Sequence, residues 1–301
     1  MTAPLVAGIE LGGTKCVCML ASGPDGVVEE VKLPTTTPAE TLGAIEQVLD
    51  GWRGRAAALG IASFGPVSLD PTAADGGRIT ATTKPGWSNT DLARRLAARI
   101  DGPAAFQSDV AGAAVGEGLW GAAVGLSDLA YVTVGTGVGA AMVAGGRPVQ
   151  GMTHSELGHL RPQRRGGDDW PGMCVFHGAC IEGLASGPSI AARTGLAGEA
   201  LPADHPVWAD VAWELGQLAH ALALTGVPRR IVWGGGVVLG QPGLLAAVER
   251  AMIDSLGGYA HAAGLERPYN VPAALGARAG PLGAVAMAQA ALATGEGVFA
   301  A

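Results

Sequence analysis

Two cysteines and two histidines crowd one stretch of the chain, GHLRPQRRGGDDWPGMCVFHGACIEG, residues 158–183. Cys174-x-x-His177-x-x-Cys180 offers three metal donors at tight spacing, and His159 adds a fourth fifteen residues earlier. Two thiolates and two imidazoles match the donor set of tetrahedral Zn2+. A redox pair would want C-x-x-C, not C-x5-C, and a Cys174–Cys180 disulfide is disfavoured wherever thiols are kept reduced. Four protein ligands fill a tetrahedral shell and leave no open position, so the zinc expected here is structural. His154 is a rival to His159 for the fourth place.

A second chemistry lies in two glycine turns. Gly12, Gly13, Thr14 and Lys15 follow one apolar strand in GIELGGTKCVCML, and Gly135, Thr136 and Gly137 follow another in TVGTGVGAAMVAGG. Glycines let backbone N–H groups close on an anion and form a concave nest for phosphate oxygens. Thr14 and Thr136 can add hydroxyl donors, and Lys15 positive charge. Either turn alone is equally an ordinary hairpin. The pair, with one plan in each half, points to a duplicated unit that grips a nucleoside triphosphate. Gly135 to Ala140 also satisfies G-x-G-x-x-G/A, but that pattern must open a helix. Only AAMVA separates Gly139 from the next glycine pair, which is strand length, so a dinucleotide site is rejected. Gly234, Gly235 and Gly236, after apolar RIVW, fit a third close backbone approach, near an adenosine.

The elements that must position these residues read as strands alternating with helices, an α/β pattern. Apolar runs predict strands at 5–9, 16–20, 59–63, 104–108, 129–134, 140–143 and 230–234. Helix starts are expected near Pro38, near Asn89 with Asn/Thr caps, after Asp109, and near Ser186, Pro206 and Gln241; a last helix spans 281–294. Cys16 and Cys18 alternate with apolar neighbours and are expected as core thiols. The division expected is an N-terminal lobe, 1–115, and a C-terminal lobe, 116–280.

Composition narrows the partners. The chain has 301 residues, 49% hydrophobic and 15% charged, with a net charge of −7. That supports a packed core and argues against nucleic acid or an anionic membrane as partner. The densest basic run, Arg161 to Arg165, is read as a solvated loop. Gly, Pro and charge interrupt each apolar run before the roughly 18–20 residues a bilayer needs. Residues 1–8 lack a basic and then apolar leader, so a cytoplasmic location is expected.

The segments GIELGGTK, ASFGPVSLD, TTKPGWSNTDL, SDVAGAAVGEGLWG, VTVGTGVGAAMVAGG, HSELGH, CVFHGACIEGLASGPS and VWGGGVV occur in the order seen in the ROK family of sugar kinases. In detail the chain most resembles its bacterial fructokinase branch, from residue 8 to about 290. The resemblance implies the actin/hexokinase-type (ribonuclease H-like) fold, two α/β lobes with ATP and sugar in the cleft between them, and the closing segment 281–301 packed on the N-terminal lobe. It implies a homodimer. It also implies phosphoryl transfer from ATP to the 6-hydroxyl of fructose, with Mg2+ on the phosphates.

A sugar hydroxyl needs a base at neutral pH, and Asp109 matches the family's catalytic aspartate; its bland reading is a helix cap. Glu156, His159 and Glu182 match sugar-binding positions, and Gly65 and Pro66, with Lys84 to Trp87, look like loops lining the cleft. Trp87 is equally a packing residue. Ala111 stands where the family commonly has Asn, Glu10 where many members have Asp, and Ser108 where glucose-specific members have Asn. The last departure favours fructose over glucose. Other hexoses (mannose, glucose, N-acetylmannosamine) and a non-catalytic sugar-binding protein are the alternatives. A sugar-sensing repressor would need a helix-turn-helix segment ahead of Gly8, and no room for one is visible.

Overall fold

The computed structural model describes residues 3–259, 265 and 268–295. The chain forms two compact units: one takes in residues up to Gly121, Val149–His154 and those from Arg278 onward, the other Ala122–Pro148 and Ser155–Ala277.

The first unit is built on β1 (Val6–Leu11), β2 (Lys15–Ala21), β3 (Val27–Pro34), α1 (Pro38–Trp52), β4 (Leu59–Ser63), β5 (Arg78–Ile79), β6 (Thr90–Asp91), α2 (Ala93–Ala97), β7 (Ala104–Ser108) and α3 (Asp109–Trp120). Its main sheet has the order β3-β2-β1-β4-β7. The first three strands form an antiparallel meander, and β4 and β7 add in parallel. α1 starts at Pro38 because Thr37 and Glu40 close a reciprocal capping box there. Its Leu42, Ile45, Leu49 and Trp52 join the sheet's Ile9, Leu11, Cys16 and Cys18 in one core. Cys16 and Cys18 are fully buried, their sulfurs 4.0 Å apart, as expected of core thiols.

Two local expectations are corrected. β3 was absent from the expected strands because its sequence, VVEEVKLP, has no apolar run: it alternates half-buried with exposed positions as an edge strand does. The helix expected near Asn89 starts later, at Ala93, because Thr90–Asp91 pairs with Arg78–Ile79 and Asn89 itself sits at φ 61.

The closing helix of this unit, Ala279–Thr294, is apolar on every side and lies directly on the sheet and on α3. Small residues make that contact possible. A Cβ at Gly60 would fall 1.9 Å from the Ala284 carbonyl, and one at Gly283 would fall 1.8 Å from that of Gly112. Residues 296–301 of the expected closing segment lie outside the described residues.

The second unit repeats the plan: β8 (Leu129–Val134), β9 (Val138–Ala144), β10 (Arg147–Pro148), α4 (Ile181–Ala185), α5 (Gly187–Thr194), α6 (Val207–Thr225), β11 (Ile231–Gly234), α7 (Gly236–Gly240), α8 (Leu244–Leu256) and β12 (Asn270–Pro272). The sheet order β10-β9-β8-β11-β12 has the same succession, three antiparallel strands and then two parallel ones. Val211, Leu215, Leu218 and Leu222 of α6 and Val248 and Met252 of α8 bury one stripe each in its core. No helix among the described residues is long and apolar enough to cross a membrane.

Candidate active site and metal centre

In the first unit, strand register gathers the candidate residues. Leu11 pairs with Ser63, and Ser63 with Ser108, so β1, β4 and β7 end level with one another. Three segments leave that edge: the Gly12–Lys15 turn, the Phe64–Gly65–Pro66 loop and the helix headed by Asp109. The carboxyl ends of parallel strands are where α/β sheets place ligands.

The turn is fixed from behind. Gly12 N donates to the Lys15 carbonyl at 3.0 Å, and Thr35 Oγ1 donates to the Gly12 carbonyl at 2.8 Å. Lys84, from the KPGW loop, donates to the Gly13 carbonyl at 2.5 Å. Gly13, Thr14 and Lys15 are exposed, and a Cβ on Gly13 would meet nothing within 4 Å. The space over this glycine is therefore open to a ligand. Trp87 of the same loop is a core residue: it is fully buried, packs edge-on against Phe64 and donates to the Thr36 carbonyl.

Asp109 is the first residue of α3, but the cap is Ser108, whose hydroxyl accepts from Ala111 N at 3.3 Å. Asp109 Oδ1 accepts from the adjacent Val110 N at 2.8 Å. The capping role that competes with catalysis thus falls mainly on its neighbour. Ala111, on the first turn, is buried. Glu10, on β1, feels both groups: burial first, and then the Asp109 charge, push its carboxyl from 4.5 up to about 7, against the pull of Lys15.

In the second unit the same edge logic holds. Gly234 pairs with Thr133, so the Gly135–Gly137 turn and the Gly235–Gly236 turn leave adjacent strand ends. Gly135 and Gly236 face open space, whereas Gly235 is demanded by the backbone, with φ 86 and the Val134 carbonyl 2.2 Å from where a Cβ would lie. Glu182 Oε2 lies over the open side of Gly137, 2.7 Å from where a Cβ would stand. That oxygen accepts from Val138 N at 3.1 Å. Glu182 is thereby fastened to the glycine turn. Glu156 is exposed, just ahead of the short 3-10 turn Leu157–His159.

That turn delivers His159 to the cysteines. Gly158 lets it lie flat on β9, since a Cβ there would strike the Val138 carbonyl. Cys174 and Gly178 exchange backbone hydrogen bonds at 3.2 and 2.8 Å, closing a knuckle with Gly178 at φ 57. Cys180 then caps α4, its sulfur accepting from Gly183 N. The result brings His159, Cys174, His177 and Cys180 together, with their donor atoms all within 4.8 Å of one another. His159 Nδ1 lies 3.6 Å from both sulfurs, and His177 Nδ1 lies 3.6 Å from Cys174 Sγ. This donor set can hold a metal ion. His154 is outside it: its Nε2 accepts from Val67 N at 3.0 Å.

Arg161 and Arg165 are exposed, as expected of a solvated loop, but the run is also tied down by ion pairs. Arg164 donates to Asp168 at 2.6 Å and Arg165 to Asp210 at 2.9 Å. Arg193 of α5 reaches Asp168 at 2.7 Å, Asp210 at 3.0 Å and the buried Glu214 at 3.5 Å. The readable signal was Glu214, an acid on the buried stripe of α6. A charged cavity of about 510 Å³ beside this network holds none of the candidate catalytic or metal residues.

Two units with one sheet order, each carrying a glycine-turn hairpin, define a duplicated α/β fold of the actin/hexokinase type. The ROK family model matches residues 6–291, and the chain belongs to the ROK family. It is 40% identical to a fructokinase of Zymomonas mobilis, covering 94% of this chain and 96% of that one. It is 38% identical to a fructokinase of Pediococcus pentosaceus, covering 96% and 99%. A ROK hexokinase from Thermus thermophilus superposes with a TM-score of 0.80 at 27% identity, covering 96% of this chain and 99% of that one.

Proposed function

We propose that the protein is an ATP-dependent fructokinase that transfers the γ-phosphoryl group of ATP to the 6-hydroxyl of D-fructose. The observation that carries this reading is similarity to fructokinases along nearly the whole length of both chains. The site chemistry agrees with it. A sugar hydroxyl must lose its proton as it attacks, and Asp109 is the base: a carboxylate at a strand end whose helix is capped by another residue. The Gly12–Lys15 turn, the Gly135–Gly137 turn and Gly234–Gly236 hold the nucleotide through backbone N–H groups and the two threonine hydroxyls. Gly65, Pro66, Glu156, His159 and Glu182 bind the sugar.

Mg2+, when bound with ATP, supplies charge neutralisation across the β- and γ-phosphates. His159, Cys174, His177 and Cys180 would hold Zn2+: two thiolates and two imidazoles are its donor set, and their S···N separations of 3.6 Å suit a single shared ion. With four protein ligands it shapes the sugar-binding segment and takes no part in the transfer. The family resemblance supports a homodimer working in the cytoplasm.

ADP release by the purified protein, with fructose, mannose, glucose and N-acetylmannosamine each as acceptor, tests the reading. Fructose should give the highest kcat/KM. A clear preference for another hexose would move the protein elsewhere among sugar kinases, and no turnover with any sugar would leave it a binding protein.

A further inference from the structure

His154 presents an arrangement that neither the metal group nor the phosphate turns account for. The chain passes back from the first unit to the second between His154 and Ser155, so Val149–His154 packs within the first unit. There it meets Val67, which is buried and follows Gly65 and Pro66 directly. The residues around Val67 are tied to the β5 strand on one side: Ser68 N donates to the Arg78 carbonyl at 2.9 Å, and Thr80 N to the Pro66 carbonyl at 2.8 Å. Val67's own N–H and C=O turn the other way. The N–H donates to His154 Nε2 at 3.0 Å, and the C=O accepts from Thr153 Oγ1, also at 3.0 Å.

Two consecutive side chains therefore serve as a strand would, satisfying both polar groups of one buried residue. The imidazole also sets the position of the loop sterically. A Cβ on Gly65 would lie 3.1 Å from His154 Nε2 and 3.2 Å from its Cε1, so the ring edge is the surface on which Gly65 rests. Because Nε2 accepts, the proton of the neutral ring sits on Nδ1.

We infer that His154 is a positioning residue for sugar binding: its Nε2 holds the Gly65–Pro66 loop against the ring, and without that acceptor the loop loses its sugar-binding form. The inference rests on the sugar-kinase reading for the role of Gly65 and Pro66; the hydrogen bond itself does not. Glutamine can replace the imidazole here, since Oε1 lies as many bonds from Cα as Nε2 does and accepts in the same place. Phenylalanine fills the space but cannot accept.

The test compares wild type, His154→Gln and His154→Phe in steady-state kinetics and in hydrogen exchange of the peptide spanning residues 62–69. For His154→Phe, KM for fructose should rise about tenfold, the cost of one unsatisfied buried donor. KM for ATP should stay the same and kcat change less. His154→Gln should restore the fructose KM to within about threefold of wild type, leaving only small differences in hydrogen-bond geometry. Exchange should be fast in His154→Phe alone. Thr153→Val, which removes the other prong, should show the same exchange change if His154→Phe proves too unstable to assay. An unchanged fructose KM in His154→Phe, or no rescue by glutamine, overturns the inference and leaves the kinase reading standing. A wild type inactive on every sugar overturns that reading and the sugar role with it. The exchange pattern then decides separately whether His154 holds the loop.

Discussion

Glu182 Oε2 accepts a hydrogen bond from the Val138 amide at 3.1 Å, fastening the first turn of α4 to the glycine turn between β8 and β9. Cys180, two residues before Glu182, is one of the four metal donors, and His159, three residues after Glu156, is another. A metal in this group therefore fixes the backbone that presents both carboxylates. Removing it should raise the fructose KM and lower the thermal midpoint, while the product remains a sugar phosphate and KM for ATP moves little. Chelation checked by metal analysis, or Cys174→Ser, gives the measurement. Equal fructose affinity in verified metal-free protein would separate the metal from the sugar site.

The division of labour between Ser108 and Asp109 predicts two different failures. Asp109→Asn removes the base but leaves the cap, so kcat should fall by about 10²–10⁴-fold with the unfolding midpoint nearly unchanged. Ser108→Ala removes the cap and should cost about 1 kcal/mol of stability. Catalysis should fall far less than in Asp109→Asn. Near-wild-type turnover in Asp109→Asn would remove it from the mechanism.

Glu10 gives a pH dependence with a definite sign. Its carboxyl titrates at about 7 in the folded protein against 4.5 ordinarily, chiefly through burial. The folded state thus holds the extra proton between these values, and stability falls as pH rises from about 4.5 to about 7. Glu10→Gln cannot titrate and should lose on the order of 2–3 kcal/mol less than wild type between pH 4.5 and pH 8. Glu214, raised to about 8 by burial, contributes in the same direction to both proteins and drops out of the comparison. Parallel urea-unfolding curves against pH would assign the titration elsewhere.

These residues differ in how far the sequence announced them. The glycine turns and the place of Asp109 at a helix start were readable because each follows a short apolar run, and the Cys/His group because its donors are tightly spaced. Level strand ends were not, since Leu11, Ser63 and Ser108 meet through hydrogen bonds between strands distant in the chain. The cap at Ser108 was hidden for a different reason. Serine and aspartate are both good caps, and only the geometry distinguishes Ser108 from Asp109. His154 looked like a spare metal donor because a histidine five residues from His159 carries no sign of which unit it joins.

The network around Arg193 was the least readable part, and it carries the strongest stability prediction. Arg193 faces Asp168, Asp210 and Glu214 at once, with only 15% of its side chain exposed and 1% of that of Glu214. Desolvation makes such a group expensive to break and weakly stabilising as a whole. Well above pH 8, where Glu214 is ionised, Arg193→Met leaves Asp168 and Glu214 facing each other with Arg164 as the nearby cation, and should cost about 3–5 kcal/mol. Arg193→Met combined with Glu214→Leu removes the most buried of the stranded carboxylates and should recover part of that loss. The recovery measures the interaction directly, because an additive pair of effects would make the double variant the less stable one. Since Asp168 lies in the loop between His159 and Cys174, the single variant should also hold its metal more weakly, read by competition with a chromogenic chelator. Unfolding curves for the three proteins decide the matter: a double variant no more stable than the single would mean that Glu214 is protonated and carries no stranded charge.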